Sequence, residues 1–243
     1  MSFSERLKLV QERIHHACAL HGREPVRIRL IAVSKTFPAA DVREGFSAGL
    51  RDFGENYVQE GVEKIASLAE LRDDIRWHFI GPLQSNKSRE VAEHFDWMHS
   101  VDREKIARRL SDQRPAGLPP LQICLQVNLG DESSKSGVSP AEVSALARAV
   151  SAMPRLTLRG LMAIPEPTSD ESLQRQRFRE LGRLLMVVRS ELPAATASAM
   201  DTLSMGMSAD LESAIAESPP GVTTMIRVGT ALFGNRPRHD AGA

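Results

Sequence analysis

Residues 26–35 read VRIRLIAVSK: Val26, Ile28 and Leu30 alternate with Arg27 and Arg29, and the run passes through Ile31, Ala32 and Val33 to Ser34 and Lys35. Alternation that turns into a continuous apolar stretch predicts a strand buried at its far end, as in a parallel sheet covered on both faces. Pro38 then opens a helical stretch to about Gly49, since proline is tolerated in a first helical turn and glycine is common past a last one. A strand followed at once by a helix is the repeating unit of α/β folds.

The unit recurs. Seven further strands are predicted at about 51–56, 75–81, 97–101, 121–129, 156–164, 201–206 and 223–229. Helical periodicity fills about 57–71, 85–95, 103–112, 139–153, 171–192 and 208–217. Ser139-Pro140-Ala141-Glu142 has the form of a capping box, and Phe178, Leu181, Leu185, Val188 and Leu192 form an apolar stripe suited to packing on a sheet. Ahead of the first strand, Phe3, Leu7, Val10, Ile14 and Cys18 recur at helical spacing. Eight strand–helix units in 243 residues match an α/β fold of the (β/α)8 TIM-barrel type, which takes about 250. An open doubly wound sheet is the rival, but it would carry a glycine-rich turn after its first strand, and SKTFPAA (34–40) has no glycine. One barrel with its N-terminal helix is assigned to residues 1–236, and 237–243 to a loosely held tail.

Lys plus Arg equals Asp plus Glu at 31 each, so there is no net charge to steer polyanions and a generic nucleic-acid binder is not expected. No apolar run approaches the ~20 residues of a membrane span, and the first twenty residues carry charges throughout, which predicts a soluble, cytoplasmic protein. Two cysteines, Cys18 and Cys124, suit a reducing compartment and make no metal pattern. Nucleophile elbow, zincin, Walker A and paired CxxC motifs are all missing.

In barrels of this kind, working residues collect at the C-terminal ends of the strands. Here those ends are polar: Ser34-Lys35, Glu55-Asn56, His78 to Gly81, Asn128, Ser204-Met205-Gly206 and Arg227-Val228-Gly229-Thr230. Lys35 follows an apolar strand, where burial favours the neutral, nucleophilic amine able to form a Schiff base with an aldehyde; a lysine snorkelling from a strand edge is the alternative. SMGMSAD (204–210) reads as a strand end turning into a helix, with Gly206 allowing close backbone approach and Ser208 placed as N-cap. With the Arg227–Thr230 turn it stands where this fold builds its phosphate cradle, although two turns that merely end strands would look the same. His78 faces opposite to Trp77 and Phe79, and with no second histidine or carboxylate at ligand spacing it is read as a pocket wall.

Five blocks then carry a resemblance: IAVSKTFPAADVREGFSAGLRDFGENYVQE (31–60), WHFIGPLQSNKSREVAEHFDWMHSVD (77–102), GLMAIP (160–165), LSMGMSADLESAI (203–215) and IRVGTALFG (226–234). In this order they closely resemble the YggS/PROSC family of pyridoxal 5'-phosphate homeostasis proteins. The resemblance implies a barrel like the N-terminal domain of alanine racemase (fold type III), with pyridoxal phosphate held as a Schiff base on Lys35. Carried over block by block, it places Asn56 at the cofactor ring and Arg227 facing the pyridine nitrogen. Ser204, Met205, Gly206 and Ser208, with Gly229 and Thr230, fall around the phosphate, and His78 is counted among the cofactor-binding residues. It also implies a regulator or carrier of the free cofactor without established turnover.

An arginine offers only N–H donors, so a pyridine nitrogen facing Arg227 stays unprotonated and the ring is a weak electron sink. Tyr57 is the one tyrosine, expected to be a partly buried residue beginning a helix, and no further domain is expected to supply a second base. An active racemase-like enzyme, a Schiff-base aldolase on a sugar phosphate and a module delivering cofactor to apo-enzymes remain alternatives. A monomer is expected. Asp131 to Gly137, with Lys135, is a solvated loop or a lid over the mouth.

Overall fold

Eight parallel strands close on themselves in chain order: β1 (Ile28–Val33), β2 (Asp52–Glu55), β3 (Arg76–Phe79), β4 (Trp97–Val101), β5 (Leu121–Gln126), β6 (Leu156–Met162), β7 (Thr202–Met207) and β8 (Thr223–Val228), with β8 pairing back onto β1. The structure, a computed structural model, describes residues 1–130 and 136–234. The helices are α1 (Phe3–His21), α2 (Ala39–Ser47), α3 (Val58–Ser67), α4 (Ser88–His94), α5 (Glu104–Gln113), α6 (Val143–Ser151), α7 (Glu171–Ser190), α8 (Ala194–Ala199), α9 (Leu211–Ala216) and α10 (Thr230–Phe233). All eight expected strands are present, and the barrel prevails over the open sheet.

The two-residue period of each strand sorts side chains into two compartments. Ala32, Phe53, Trp77, Phe79, Met98, Leu203, Met205, Ile226 and Val228 point outward and pack under the helices, where α7 contributes Phe178, Leu181, Leu185 and Val188. Their odd or even neighbours fill the lumen: Ile31, Trp97, Cys124, Met162 and Met225 form a small apolar cluster. A file of polar groups shares this space with them: Asp52, His78, His99, Ser204 and Arg227 are all buried. At the N-terminal end of the strands, the Arg159 guanidinium pairs with Asp201 and lies 5.1 Å from the Trp97 ring centre.

The N-terminal helix is part of the barrel's support. A Ser2–Glu5 capping box starts α1 and a left-handed Gly22 ends it. Its buried face is the expected one, with Ala17 added. It reaches the ends of both late strands: Phe3 meets Phe233 with ring centres 5.3 Å apart, Arg6 donates to Leu232 O, and Arg13 donates to Ser208 O.

Three local expectations are corrected. Helix α6 starts at Val143, because residues 139–142 form a turn in which the Ser139 hydroxyl bonds the Glu142 carboxylate. Ser208 does not cap α9: the helix begins after Asp210, whose carboxylate instead closes a turn onto Met207 N–H at 2.6 Å. Helix α8 was not anticipated, since AATASA after Pro193 has no apolar periodicity to announce it. Residues 131–135, including Lys135, and the 237–243 tail lie outside the described residues.

Candidate functional site

The mouth of the barrel is built first at the end of β1. After Val33 the chain makes a turn closed by Phe37 N–H to Ser34 O at 3.0 Å, with half-buried Lys35 at its second position. Thr36 follows at φ 68°, a left-handed conformation that a β-branched residue adopts only under constraint. The constraint is visible: the Glu60 carboxylate accepts the Thr36 N–H, and Lys64 Nζ lies 2.7 Å from Ser34 O, 2.7 Å from Glu55 Oε1 and 2.6 Å from Glu60 Oε1. The Ser34 hydroxyl donates to the same Glu55 oxygen at 2.6 Å. Burial pushes the Glu55 carboxyl up to about 6 despite Lys64 and Ser34, and its Oε2 is buried without a partner among the described residues. A buried ion-pair network therefore sits behind the Lys35 turn.

At the end of β2, the Asn56 backbone is pressed against Gly81. A Cβ on Gly81 would come within 2.2 Å of Asn56 O, so only glycine fits. Asn56 Oδ1 and Thr36 Oγ1 are both buried without a partner among the described residues, an unusual state for polar atoms. Tyr57, expected to be partly buried, is 58% exposed at the N-cap of α3. The position before the helix turns its side chain away from the core.

On the other side of β1 from β2, β8, which pairs with β1, and β7 beyond it end in two small turns. Gly206 takes φ 87°, a backbone state suited to glycine, and α1 holds the next turn through Arg13 to Ser208 O and the Glu212 carboxylate. Gly229 caps α10, accepting from Leu232 and Phe233 N–H, with Thr230 exposed beside it. Met205 faces outward into the helix-side core. Ser204 points into the lumen, where its Oγ receives Arg227 Nη1 at 2.6 Å and lies 2.7 Å from His99 Nδ1. Arg227 Nη2 donates to Ala163 O at 3.0 Å. Burial lowers this guanidinium only to about 10, so it remains a cation at neutral pH.

His78 lies deeper than the wall of a pocket. Its Nε2 is 2.9 Å from Asp52 Oδ1 and its Nδ1 is 2.9 Å from His99 Nε2. It is thus not a lone histidine, as its sequence spacing suggested: the partners come from adjacent strands in register, Gly54 beside His78 beside Trp97. His99, Asp52, Lys64 and Glu60 were missed as participants. The signal for His99 was available in the alternation of Trp97 and His99 against Met98, which places it on the face that Trp97 shares with the lumen.

A closed parallel barrel with a lysine at the end of its first strand and a buried arginine on its last defines a class. The chain matches the family described as alanine racemase, N-terminal domain, over residues 9–237. Within that class it is 56% identical over 235 residues to the pyridoxal phosphate homeostasis protein of Pseudomonas aeruginosa, covering 97% of this chain and 96% of that one. It is 52% identical to the protein of the same name from Escherichia coli K12, covering 96% of each. The solved structure of PipY from Synechococcus elongatus PCC7942 with PLP bound superposes with a TM-score of 0.80 at 38% identity, covering 96% of this chain and 100% of that one. The chain belongs to the family of pyridoxal phosphate homeostasis proteins.

Proposed function

We propose that this protein binds pyridoxal 5'-phosphate at the barrel mouth, through a Schiff base on Lys35, and so contributes to intracellular cofactor homeostasis. Family membership and a PLP-bound relative support the ligand. The single observation that carries the site is the constrained Lys35 turn, with Thr36 left-handed and braced by Glu60 and Lys64, beside the 227–230 turn that ends the strand paired with β1. The fit is chemical as well: Asn56 Oδ1, just past β2, and Thr36 Oγ1, next to Lys35 in the chain, are buried without a partner among the described residues, a state that a hydrogen-bonding ligand relieves.

Attachment needs no co-reactant. The Lys35 amine adds to the aldehyde carbon, C=N replaces C=O and one water leaves. When bound, the cofactor supplies an electrophilic imine and a ring able to take up electron density. Arg227 limits the second property, because a buried donor-only guanidinium leaves the ring nitrogen unprotonated. Gly206, Ser208, Gly229 and Thr230 offer backbone and hydroxyl donors to the phosphate, and Asn56 lines the ring. Ser204 contributes from the lumen side, under Arg227, and Met205 by packing the β7 end. Racemisation would require a proton carrier on each face of the substrate. Among the described residues the two lumen histidines are engaged with each other and Tyr57 is largely exposed, so we favour storage and hand-over to apo-enzymes above turnover.

The buried free thiols of Cys18 and Cys124, and the lack of any described helix long and apolar enough to cross a membrane, support a cytoplasmic setting; a monomer is our working state. The test is a spectroscopic titration of the full chain with pyridoxal phosphate. Wild type should develop a visible absorption band at one equivalent, Lys35→Ala should not, and neither should exchange amino-acid α-protons with solvent. A band of equal intensity in Lys35→Ala, or rapid exchange by wild type, would overturn the proposal.

A further inference from the structure

Five polar side chains cross the lumen in one continuous file. Arg227 Nη1 is 2.6 Å from Ser204 Oγ, Ser204 Oγ is 2.7 Å from His99 Nδ1, His99 Nε2 is 2.9 Å from His78 Nδ1, and His78 Nε2 is 2.9 Å from Asp52 Oδ1. The file runs from the C-terminal end of β8 to the first residue of β2, where Arg76 grips Asp52 with two bonds of 2.7 Å. The three middle members, His78, His99 and Ser204, are fully shut off from solvent, so their side-chain polar atoms find their partners within the file, while the two ends also bond outside it, Asp52 to Arg76 and Arg227 to Ala163 O.

The ends fix the direction of every bond. Arginine has only donors, so Ser204 Oγ accepts from it. The single Ser204 O–H is then free to donate, and the adjacent acceptor is His99 Nδ1. That makes His99 the Nε2–H tautomer, which donates to His78 Nδ1. His78 is in turn the Nε2–H tautomer, and it donates to the Asp52 carboxylate. Reversing any link sets a lone pair against the carboxylate or strands the serine proton. A doubly protonated His99 would also be a cation two bonds from Arg227 in a closed space.

We propose that His78, His99 and Ser204 form a one-way hydrogen-bonded chain that anchors Arg227 from beneath and aims its remaining N–H groups at the mouth, with Asp52 as the negative terminus. They are positioning residues, and their purpose rests on reading the mouth as a pyridoxal phosphate site. Consecutive donors and acceptors polarise one another, so the carboxylate at the far end strengthens the serine as acceptor for the guanidinium. The charged groups around the histidines are Asp52 and Arg76 from the strand starts, Arg29 from β1, Asp96 ahead of β4 and Arg227 from β8. Burial outweighs the acidic neighbours and disfavours the cationic form of both rings. The chain is therefore expected to persist into mildly acidic solution. Trp97 stacks on His78 at 5.5 Å between ring centres and keeps that ring in place.

Two measurements test this. In cofactor-free full-length protein, long-range proton–nitrogen spectra assigned with His78→Gln and His99→Gln should show both imidazoles neutral and protonated at Nε2 at neutral pH. An Nδ1–H tautomer, or a doubly protonated ring at that pH, overturns the chain whatever the ligand. With pyridoxal phosphate labelled at the ring nitrogen, Ser204→Ala should weaken binding about ten-fold, the scale of one hydrogen bond to a charged group, and shift the ring-nitrogen resonance. Ser204→Thr, which restores the hydroxyl, should return both readings to near wild type. Wild-type affinity and resonance in Ser204→Ala would refute the positioning role while leaving the site intact. Failure of wild type to bind the cofactor would refute the site and the purpose assigned to the chain together.

Discussion

The Lys64 ammonium lies 2.7 Å from Glu55 Oε1, and both side chains are buried, the lysine 7% exposed and the glutamate not at all. Charges removed from water in this way are costly to separate. Here the pair also holds the Ser34 carbonyl and, through Glu60, the Thr36 amide, so it spans both sides of Lys35.

Lys64→Met should therefore cost about 3 kcal/mol at pH 8, by stranding a buried carboxylate. Burial already pushes Glu55 up to about 6 from the ordinary 4.5, and losing the ammonium pushes it higher. A raised carboxyl binds its proton more tightly in the folded state, so its contribution to stability is greatest at low pH and is lost as pH rises through the folded value. The deficit of the variant should shrink at pH 5. Urea denaturation at both pH values checks this, and an equal deficit at the two would contradict it.

Asp52 has the opposite sign. Burial works against its charge, yet the bonds and charges of Arg76 and His78 outweigh burial and hold the carboxyl far below its usual range. A lowered carboxyl contributes stability that is present above the unfolded value, near 4, and lost as pH falls toward the folded one. Asp52→Asn should cost about 2 kcal/mol at pH 7, with the gap to wild type narrowing below about pH 4. Denaturation midpoints that coincide at pH 7 would refute this.

Gly81→Ala drives a methyl group into the Asn56 carbonyl and should cost about 3 kcal/mol, near the upper end of overpacking effects. Because the displaced backbone carries Asn56, cofactor affinity should fall with stability. Thermal unfolding and a binding titration measure the two together; an unaltered protein would mean that the β2 and β3 ends can separate freely.

Arg13 offers a contrast. It lies on α1, far in sequence from the site, and clasps Ser208 O and Glu212 while remaining 38% exposed. Arg13→Ala should lose only about 1 kcal/mol of stability. Its effect should appear as cofactor dissociation about three-fold faster, read by trapping with an apo-enzyme. An unchanged off-rate would show that α1 does not steady the 204–208 turn.

The barrel was legible because its strands announce themselves locally, by alternation and by the helices that follow them. Lys35, Arg227 and the two late turns were legible because strand ends in this fold face one opening. What stayed hidden depends on neighbours that are distant in sequence. His78 looked solitary since Asp52 and His99 reach it from β2 and β4, with Ser204 of β7 bonded to His99 in turn, and only the closed register brings them into one file. The Thr36 conformation and the Lys64 brace likewise have no local signature. Ser208 is a different case, a local misreading: the helix starts at Leu211, and residues 207–210 form a turn in which the Asp210 carboxylate accepts the Met207 N–H.

Borohydride reduction of the pyridoxal phosphate-loaded protein, followed by peptide mapping, fixes the adduct to the amine that made it. The pyridoxyl group should be found on Lys35, in the peptide that carries VSKTF, at close to one per chain. Label on Lys64 or on any other lysine, or none at all, would contradict the assignment of the barrel mouth as the place where the cofactor is held.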